Sequence, residues 1–166
     1  CSKDEFYLSI DGIAKYHVIP EQNRIYVEKH SNLANESEID VWLYGTVFAY
    51  ILQHRNYLVL HGSAIQADGK AIIFSGDSGA GKSTTAAAMV EKGYNTLLTD
   101  DVVAIKRDES GNLAMIPGPR KLKLWSTALL KLDKSSQGLK PIVNKLDKYE
   151  LPVDQLDIDK LIPIAT

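Results

Sequence analysis

The stretch AIIFSGDSGAGKS, residues 71–83, decides the fold of this chain. Its first part, Ala71 to Phe74, is apolar at every position, which is typical of a strand packed on both faces. Its second part, Gly76 to Ser83, fits the phosphate-loop pattern G-x-x-x-x-G-K-[ST] without a mismatch. Small and apolar residues then predict a helix from Thr84 to Lys92, with Gly93 as its C-cap. Strand, glycine-rich loop and helix in this order predict an α/β fold with a nucleotide site.

Each part of this glycine-rich loop suits a triphosphate. The glycines let consecutive backbone N–H groups turn toward phosphate oxygens, and the helix that follows directs its positive end at the same anion. Lys82 can reach the β- and γ-phosphates, and the Ser83 hydroxyl can bind Mg²⁺. We therefore predict that ATP and Mg²⁺ bind here; a chance match is the alternative, because the pattern fixes only four positions. The residues predicted to contact the nucleotide are Gly76, Asp77, Ser78, Gly79, Ala80, Gly81, Lys82, Ser83 and Thr84.

Two adjacent carboxylates, Asp100 and Asp101, follow a predicted strand from Asn95 to Thr99, which we expect to end at the pair. In phosphate-loop proteins an acid at a nearby strand end holds Mg²⁺, and a second acid can accept the proton of an attacking hydroxyl. Adjacent side chains in an extended chain point to opposite faces, so both can enter one site only if the chain bends. Ser83, Asp100 and Asp101 are the candidate metal ligands. Which acid is the base stays open, and a solvated turn is the alternative.

The segments around the loop are also patterned. Tyr57 to His61 predicts a strand that ends at His61, and Ala67-Asp68-Gly69-Lys70 predicts a tight hairpin turn, because Asp-Gly readily adopts positive φ. Pro117-Gly118-Pro119 is expected to break the chain. The other predicted elements after the carboxylates are a hairpin of Val102–Lys106 with Leu113–Ile116, a helix from Trp125 to Leu132, a basic loop from Lys134 to Lys148 and an apolar strand from Leu161.

The N-terminal part is rich in short strands, predicted at Phe6–Ile10, Lys15–Ile19 and Arg24–Glu28. Apolar residues at helical spacing then predict a helix from Glu38 to His54, preceded by N-cap residues in 35–37. We predict one domain over residues 1–166. It comprises an N-terminal part of strands and a helix, 1–56, and a nucleotide-binding core with a mixed sheet, 57–166. The C-terminal strand is either an edge strand at a true terminus or part of a fold that continues beyond Thr166.

The composition is that of an ordinary globular protein, because 45% of the 166 residues are apolar and 24% are charged. A net charge of −2 argues against nucleic acid as a partner of the whole molecule. Cys1 is the sole cysteine, which excludes an internal disulfide. The uncharged run from Val41 to Leu52 is too short to span a bilayer, and the first residues do not have the pattern of a signal peptide. We therefore expect a cytoplasmic protein without a membrane partner.

Taken in order, His61-Gly62-Ser63, a hairpin, the glycine-rich loop, a helix and Asp100-Asp101-Val102 resemble the catalytic domain of HPr kinase/phosphorylase, a bacterial family related in fold to phosphoenolpyruvate carboxykinase. The resemblance covers about Leu58 to Ile105. It implies a serine kinase in which the histidine lies beside the aspartate that activates the acceptor serine. The catalytic candidates are therefore His61, Lys82, Asp100 and Asp101. The resemblance also implies a homo-oligomer.

Beyond Ile105 the chain departs from the family's Glu-Ile-Arg-Gly-type signature. Pro117 to Trp125 instead resembles HPr-kinase-like proteins found with lasso-peptide biosynthesis, which phosphorylate a serine of the precursor peptide. This resemblance implies a peptide or protein partner with an acceptor serine, with HPr or free serine as other acceptors. Two rival functions are a carboxykinase-like lyase and a sensor that binds ATP without phosphate transfer.

The segment from Pro117 to Lys148 has eight basic and two acidic residues, a net charge of +6, which leaves −8 for the rest of the chain. Such asymmetry indicates an anionic partner. That partner is either the triphosphate, with Arg120 or Lys123 neutralising the transferred group, or an acidic peptide. A solvated basic face is the alternative. Trp42 and Trp125 are predicted to be core residues.

Overall fold

The computed structural model describes residues 5–31, 35–93, 96–142, 147–152 and 160–165, and it divides the chain into two units, residues 1–56 and 57–166. In the described part of the chain, no helix is both long and apolar enough to cross a membrane.

The first unit is a three-stranded antiparallel sheet followed by a helical segment. The strands are β1 (Phe6–Ile10), β2 (Ala14–Ile19) and β3 (Arg24–Lys29), in the order β1-β2-β3. The helical segment comprises α1 (Glu36–Trp42), a π-helical turn (Leu43–Val47) and α2 (Phe48–His54). The Asn35 side chain caps α1 by accepting a hydrogen bond from the Ser37 amide. These observations confirm the three predicted strands, the helix and its N-cap.

Alternating residues of β2 form the core of this unit. Ala14, Tyr16 and Val18 are buried on one face of the sheet and pack with Ile39 and Val47 of the helical segment. The hydroxyl of Tyr16 donates to the Ile39 carbonyl at 2.8 Å, which satisfies the one polar atom of that buried ring. Trp42 packs against the same cluster, as predicted for a core residue.

The second unit contains two sheets. A five-stranded sheet has the order β11-β7-β6-β4-β5, a three-stranded sheet has the order β8-β10-β9, and every neighbouring pair is antiparallel. A parallel bridge joins Ala71 to Ile164, so the C-terminal segment contacts both β7 and β5. The elements are β4 (Leu58–Ala67), β5 (Lys70–Ser75), α3 (Lys82–Glu91), β6 (Thr96–Arg107), β7 (Leu113–Ile116), β8 (Lys121–Trp125), α4 (Ser126–Lys131), β9 (Lys140–Pro141), β10 (Lys148–Pro152) and β11 (Ile162–Pro163).

The large sheet has a hydrophobic cluster on each face. On one face, residues of β4 and β6 pack with α3, β8 and α4. On the other face, a second buried cluster is formed by residues of the sheet's own strands, β4, β5, β6, β7 and β11. Along β5, Ile72 and Phe74 contact the first cluster, whereas Ala71 and Ile73 belong to the second. This explains why Ala71 to Phe74 is apolar at every position and confirms the predicted packing. The hairpin turn at Asp68-Gly69 is also confirmed, with φ of 49° and 76°.

Two predicted strand ends are wrong. His61 lies in the middle of β4, and Asp100 and Asp101 lie in the middle of β6. The strands continue because Gly62 pairs with Asp101 and Ser63 pairs with Asp100 in one antiparallel ladder. The expected bend is nevertheless present, since Asp101 has a φ of 74° within the strand. Asn95, part of the predicted strand, is outside the described residues.

The segment after Pro119 also differs from the prediction. Trp125 ends β8 instead of starting the helix, and 47% of it is exposed, so the prediction that it is a core residue is wrong. The predicted loop from Lys134 to Lys148 contains β9, which pairs with β10. Residues 143–146 of that loop are outside the described residues.

Candidate functional site

The glycine-rich loop connects the end of β5 to the start of α3. Gly81 is the N-cap of α3 and has a φ of 87°, a conformation that side-chain-bearing residues rarely adopt. Its carbonyl accepts the first helical hydrogen bond, from Thr85, at 2.8 Å. The Lys82 ammonium folds back over the loop and donates to the carbonyls of Gly76 and Asp77, both at 2.9 Å. The loop carbonyls therefore bind the Lys82 ammonium at the N-terminus of a ten-residue helix.

Asp100 is held beside this helix by three donors. Its Oδ1 accepts hydrogen bonds from Ser83 Oγ, at 2.8 Å, and from Ser63 Oγ. Its Oδ2 accepts from the backbone amide of Lys123 at 3.0 Å. Asp100 is 8% exposed, so these donors compensate for the removal of the carboxylate from water. The result is a hydroxyl and a carboxylate side by side, an oxygen ligand set that suits Mg²⁺.

Asp101 faces a different neighbour. Its carboxylate forms an ion pair with the Lys123 ammonium, and its backbone carbonyl accepts a hydrogen bond from His61 Nδ1 at 3.1 Å. Burial alone would raise the pKa of the Asp101 carboxyl, but the charge and hydrogen bond of Lys123, with Lys148 and His61, bring the pKa below its ordinary value. The carboxylate is therefore ionised at neutral pH.

The glycine-rich loop and Asp101 open into one cleft. Its lining residues are His61, Ser78, Gly79, Gly81, Lys82, Ser83, Thr84, Asp101, Lys123, Leu124, Trp125 and Lys148. Asp100 contacts two of these residues, Ser83 and Lys123, without lining the cleft. Of the residues predicted to contact a nucleotide, Gly76, Asp77 and Ala80 do not line the cleft, and the other six do.

The sequence prediction missed part of this site. Ser63 is fully buried against Asp100, and Trp125 and Lys148 form part of the cleft wall. One signal was present in the sequence: Lys121-Leu122-Lys123-Leu124 alternates polar and apolar positions, which indicates a strand. In β8, Leu122 and Leu124 are buried and Lys123 and Trp125 lie toward the cleft.

Three lysines of the basic segment, Lys121, Lys123 and Lys134, have acidic partners. Lys121 pairs with Glu150 at 3.4 Å, and Lys134 pairs with Glu91 at 2.6 Å. Arg120 is 5% exposed and lies outside the cleft lining, so it does not reach the cleft as Lys123 does. Of the two residues predicted to neutralise a phosphoryl group, only Lys123 is in a position to do so.

The fold and the site define an α/β domain in which a glycine-rich loop lies beside paired carboxylates. Residues 53–120 match the family model of the HPr Serine kinase C-terminal domain. The HPr kinase/phosphorylase of Treponema pallidum (strain Nichols) is 46% identical over 48 residues, which cover 29% of this chain and 15% of that protein. The HPr kinase/phosphorylase of Limosilactobacillus reuteri (strain DSM 20016) is 36% identical over 58 residues, or 35% and 18% of the two chains.

These alignments span less than a fifth of the length of either relative. No solved structure matches the chain significantly. The family match includes His61, the glycine-rich loop and both aspartates. It ends before Lys123, Trp125 and Lys148, which also line the cleft.

Proposed function

We propose that this protein is a kinase that transfers the γ-phosphate of ATP to a serine hydroxyl of a peptide or protein. The observation that carries the proposal is the hydrogen bond between Ser83, at the start of α3, and Asp100 on β6, beside the cleft that Lys82 and Asp101 line. Phosphate transfer requires a phosphate cradle, a metal-binding oxygen pair and a proton acceptor close together. The match of residues 53–120 to the HPr Serine kinase C-terminal domain supports the same reaction.

The residues present fit a nucleotide with its metal. The N-terminal end of α3 and the amides of Gly79 and Gly81 favour phosphate oxygens, and Lys82 would exchange its two carbonyl partners for them. Ser83 and Asp100 would hold Mg²⁺, which would neutralise charge on the β- and γ-phosphate oxygens. No group of three or more His, Cys, Asp or Glu side chains forms a metal site among the described residues. That finding is consistent with a site completed by phosphate oxygens and water.

The surroundings of the two aspartates favour a division of labour. Asp100 is buried and engaged by Ser63, Ser83 and the Lys123 amide, which suits a metal ligand. Asp101 lines the cleft and is ionised, which suits the base. The acceptor oxygen bonds to the γ-phosphorus while the bond from that phosphorus to the ADP oxygen breaks, and the hydroxyl proton passes to Asp101. His61 Nδ1 donates a hydrogen bond to the backbone carbonyl of Asp101, which fixes the backbone of the base.

A lasso precursor peptide is the first acceptor to test, because Pro117 to Trp125 resembles the lasso-peptide type of HPr-kinase-like protein. HPr and free serine follow. On the resemblance of residues 58–105 to HPr kinase/phosphorylase, we infer a homo-oligomer. We also propose a cytoplasmic location, as expected from the sequence.

The test is transfer of label from γ-labelled ATP with Mg²⁺ to a serine-ended precursor peptide, HPr or free serine. Label on one acceptor, lost in Lys82→Ala, supports the proposal and names the acceptor class. Binding of ATP without transfer to any acceptor would overturn it in favour of an ATP-dependent sensor. Absence of ATP binding would make the loop pattern a chance match.

A further inference from the structure

Lys123 contacts both aspartates of the site. Its backbone amide donates to Asp100 Oδ2 at 3.0 Å, and its ammonium forms an ion pair with Asp101 Oδ2. The side chain is 13% exposed, so this ion pair is shielded from solvent much more than an ordinary surface pair. The family match ends at residue 120 and does not include it.

The strand β8 fixes the direction of Lys123. Leu122 and Leu124, its two neighbours, are buried in the core with α3 and α4, so the side chain of Lys123 must point to the other face. The facing residue on β10 is Glu150, which is paired with Lys121. The ammonium of Lys123 is thus directed to Asp101 by the packing of its own strand.

Charged groups surround the Asp101 carboxylate on several elements. His61 belongs to β4, Lys82 to the start of α3, Lys123 to β8 and Lys148 to β10, and Asp100 precedes it on β6. Among the described residues, Lys123 is the one with an ion pair to Asp101. Without that ammonium, the carboxylate would keep a like charge as its chain neighbour and lose the contact that sets its orientation.

We propose that Lys123 is a positioning residue of the phosphate transfer. Its ammonium holds the Asp101 carboxylate toward the cleft, where the carboxylate accepts the acceptor's proton, and its amide holds Asp100 against Ser83. The inference rests on the proposed kinase function and adds to it a residue from the wall outside the family match. The proton passes from the acceptor hydroxyl to Asp101 as the acceptor oxygen bonds to phosphorus and ADP departs.

The experiment compares Lys123→Met and Lys123→Arg with the unaltered chain, and Lys121→Met is the matched control. Lys121 lies two residues away on the same strand and has its own carboxylate partner, Glu150. Loss of base positioning is expected to lower kcat about 100-fold in Lys123→Met, the lower range for general-base catalysis. The Kd for ATP is expected to stay within about threefold, because the phosphates are held by the glycine-rich loop. Lys123→Arg is expected to recover at least about tenfold of kcat, because it restores a cation.

Two results would overturn the inference: an unchanged kcat in Lys123→Met, or a loss of ATP affinity as large as the loss of kcat, which would make Lys123 a phosphate contact. A crystal structure of Lys123→Met provides a readout without activity, since the Asp101 carboxylate is expected to turn from its place. An unmoved carboxylate would also refute the role. An unaltered chain that transfers no phosphate overturns the kinase function, whereas the carboxylate position still decides what Lys123 does.

Discussion

Asp100 and Ser63 are 37 residues apart in sequence, and the antiparallel register of β4 and β6 places them opposite each other. The position of Asp100 and Asp101 near the glycine-rich loop could be predicted from the sequence, because the pair follows that loop by one helix and one strand. Ser63 could not, because a serine in a strand gives no signal of its partner. Its contribution depends on a ladder register that only the fold determines.

Replacement of Ser63 by alanine is expected to destabilise the protein. Ser63 is fully buried and its hydroxyl donates to Asp100, so its loss leaves a buried carboxylate with one donor fewer. A hydrogen bond to a charged group contributes about 1.5–3 kcal/mol, so the free energy of unfolding should fall by about that amount. Urea denaturation measures the change. Ser75→Ala is the control, because Ser75 is exposed and its hydroxyl makes a long bond of 3.4 Å; an equal loss in both variants would contradict the assignment.

Replacing each aspartate by asparagine is expected to impair a different step, phosphate transfer for Asp101 and Mg²⁺-dependent ATP binding for Asp100. Asp101→Asn removes the proposed base, and its kcat is expected to fall about 100-fold or more while ATP still binds. Asp100→Asn removes a carboxylate from the proposed metal pair, so Mg²⁺-dependent ATP affinity is expected to weaken. Titration calorimetry with and without Mg²⁺, together with the transfer assay, separates the two effects. The reverse assignment would follow if Asp101→Asn were the variant that loses the Mg²⁺ dependence of binding.

Local sequence patterns predict most strands and helices of this chain but miss the strand β8. Strands β1, β2, β3 and β5, the first part of β4, the helix α3 and the hairpin of β6 with β7 could be predicted from runs of strand-forming residues, small and apolar residues and turn residues. The prediction failed at β8 because Trp125 and the residues after it were assigned to one helix, although residues 121–124 alternate between polar and apolar. β8 pairs with β10, whose residues lie more than 20 positions later in the sequence. Local sequence patterns do not specify such long-range pairing.

Gly118 lets the segment that leads into β8 pack closely against β6. Its amide donates to the Leu98 carbonyl at 2.9 Å, and a Cβ at this position would overlap the Thr99 hydroxyl oxygen. Thr99 cannot turn away freely, because it is fully buried and its hydroxyl donates to the Val102 carbonyl at 2.9 Å. The Pro-Gly-Pro segment therefore crosses β6 at the residue before Asp100, and a side chain there would displace it.

Gly118→Ala is thus expected to lower the free energy of unfolding by about 1–3 kcal/mol, the cost of forcing extra atoms into a packed site. It should also reduce phosphate transfer, because β8 and Lys123 follow the displaced segment. Gly45→Ala serves as the control, since a Cβ at Gly45 meets no atom within 4 Å. Denaturant unfolding of the two variants tests this, and a Gly118→Ala protein as stable as the parent would show that the crossing has room for a methyl group.

The uneven distribution of charge along the chain predicted an anionic partner, and this prediction was incomplete. A net charge of +6 between Pro117 and Lys148 indicated an anionic partner, but several of the partners belong to the protein itself. Glu91, Asp101 and Glu150 lie outside this segment and pair with its lysines. Charge counts could not distinguish a bound anion from these contacts, because the pairing depends on where α3, β6 and β10 are placed by the fold.

The division into units 1–56 and 57–166 places one tryptophan in each, Trp42 and Trp125. All residues of the proposed nucleotide site belong to the second unit. A ligand stabilises only the cooperative unit that binds it, by about 2.7 kcal/mol at 100 times its Kd. ATP with Mg²⁺ should therefore raise the unfolding midpoint of the second unit more than that of the first.

Thermal unfolding followed by tryptophan fluorescence tests this expectation. Trp42→Phe leaves Trp125 to report on the second unit, and Trp125→Phe leaves Trp42 to report on the first. Each variant is heated with ATP at 100 times its own Kd, which corrects for any change in affinity at the cleft wall. The midpoint reported by Trp125 is expected to rise, and Lys82→Ala or removal of Mg²⁺ with a chelator should abolish the rise. Equal shifts at both tryptophans would mean that the two units unfold together, because binding energy reaches Trp42 only through a shared transition.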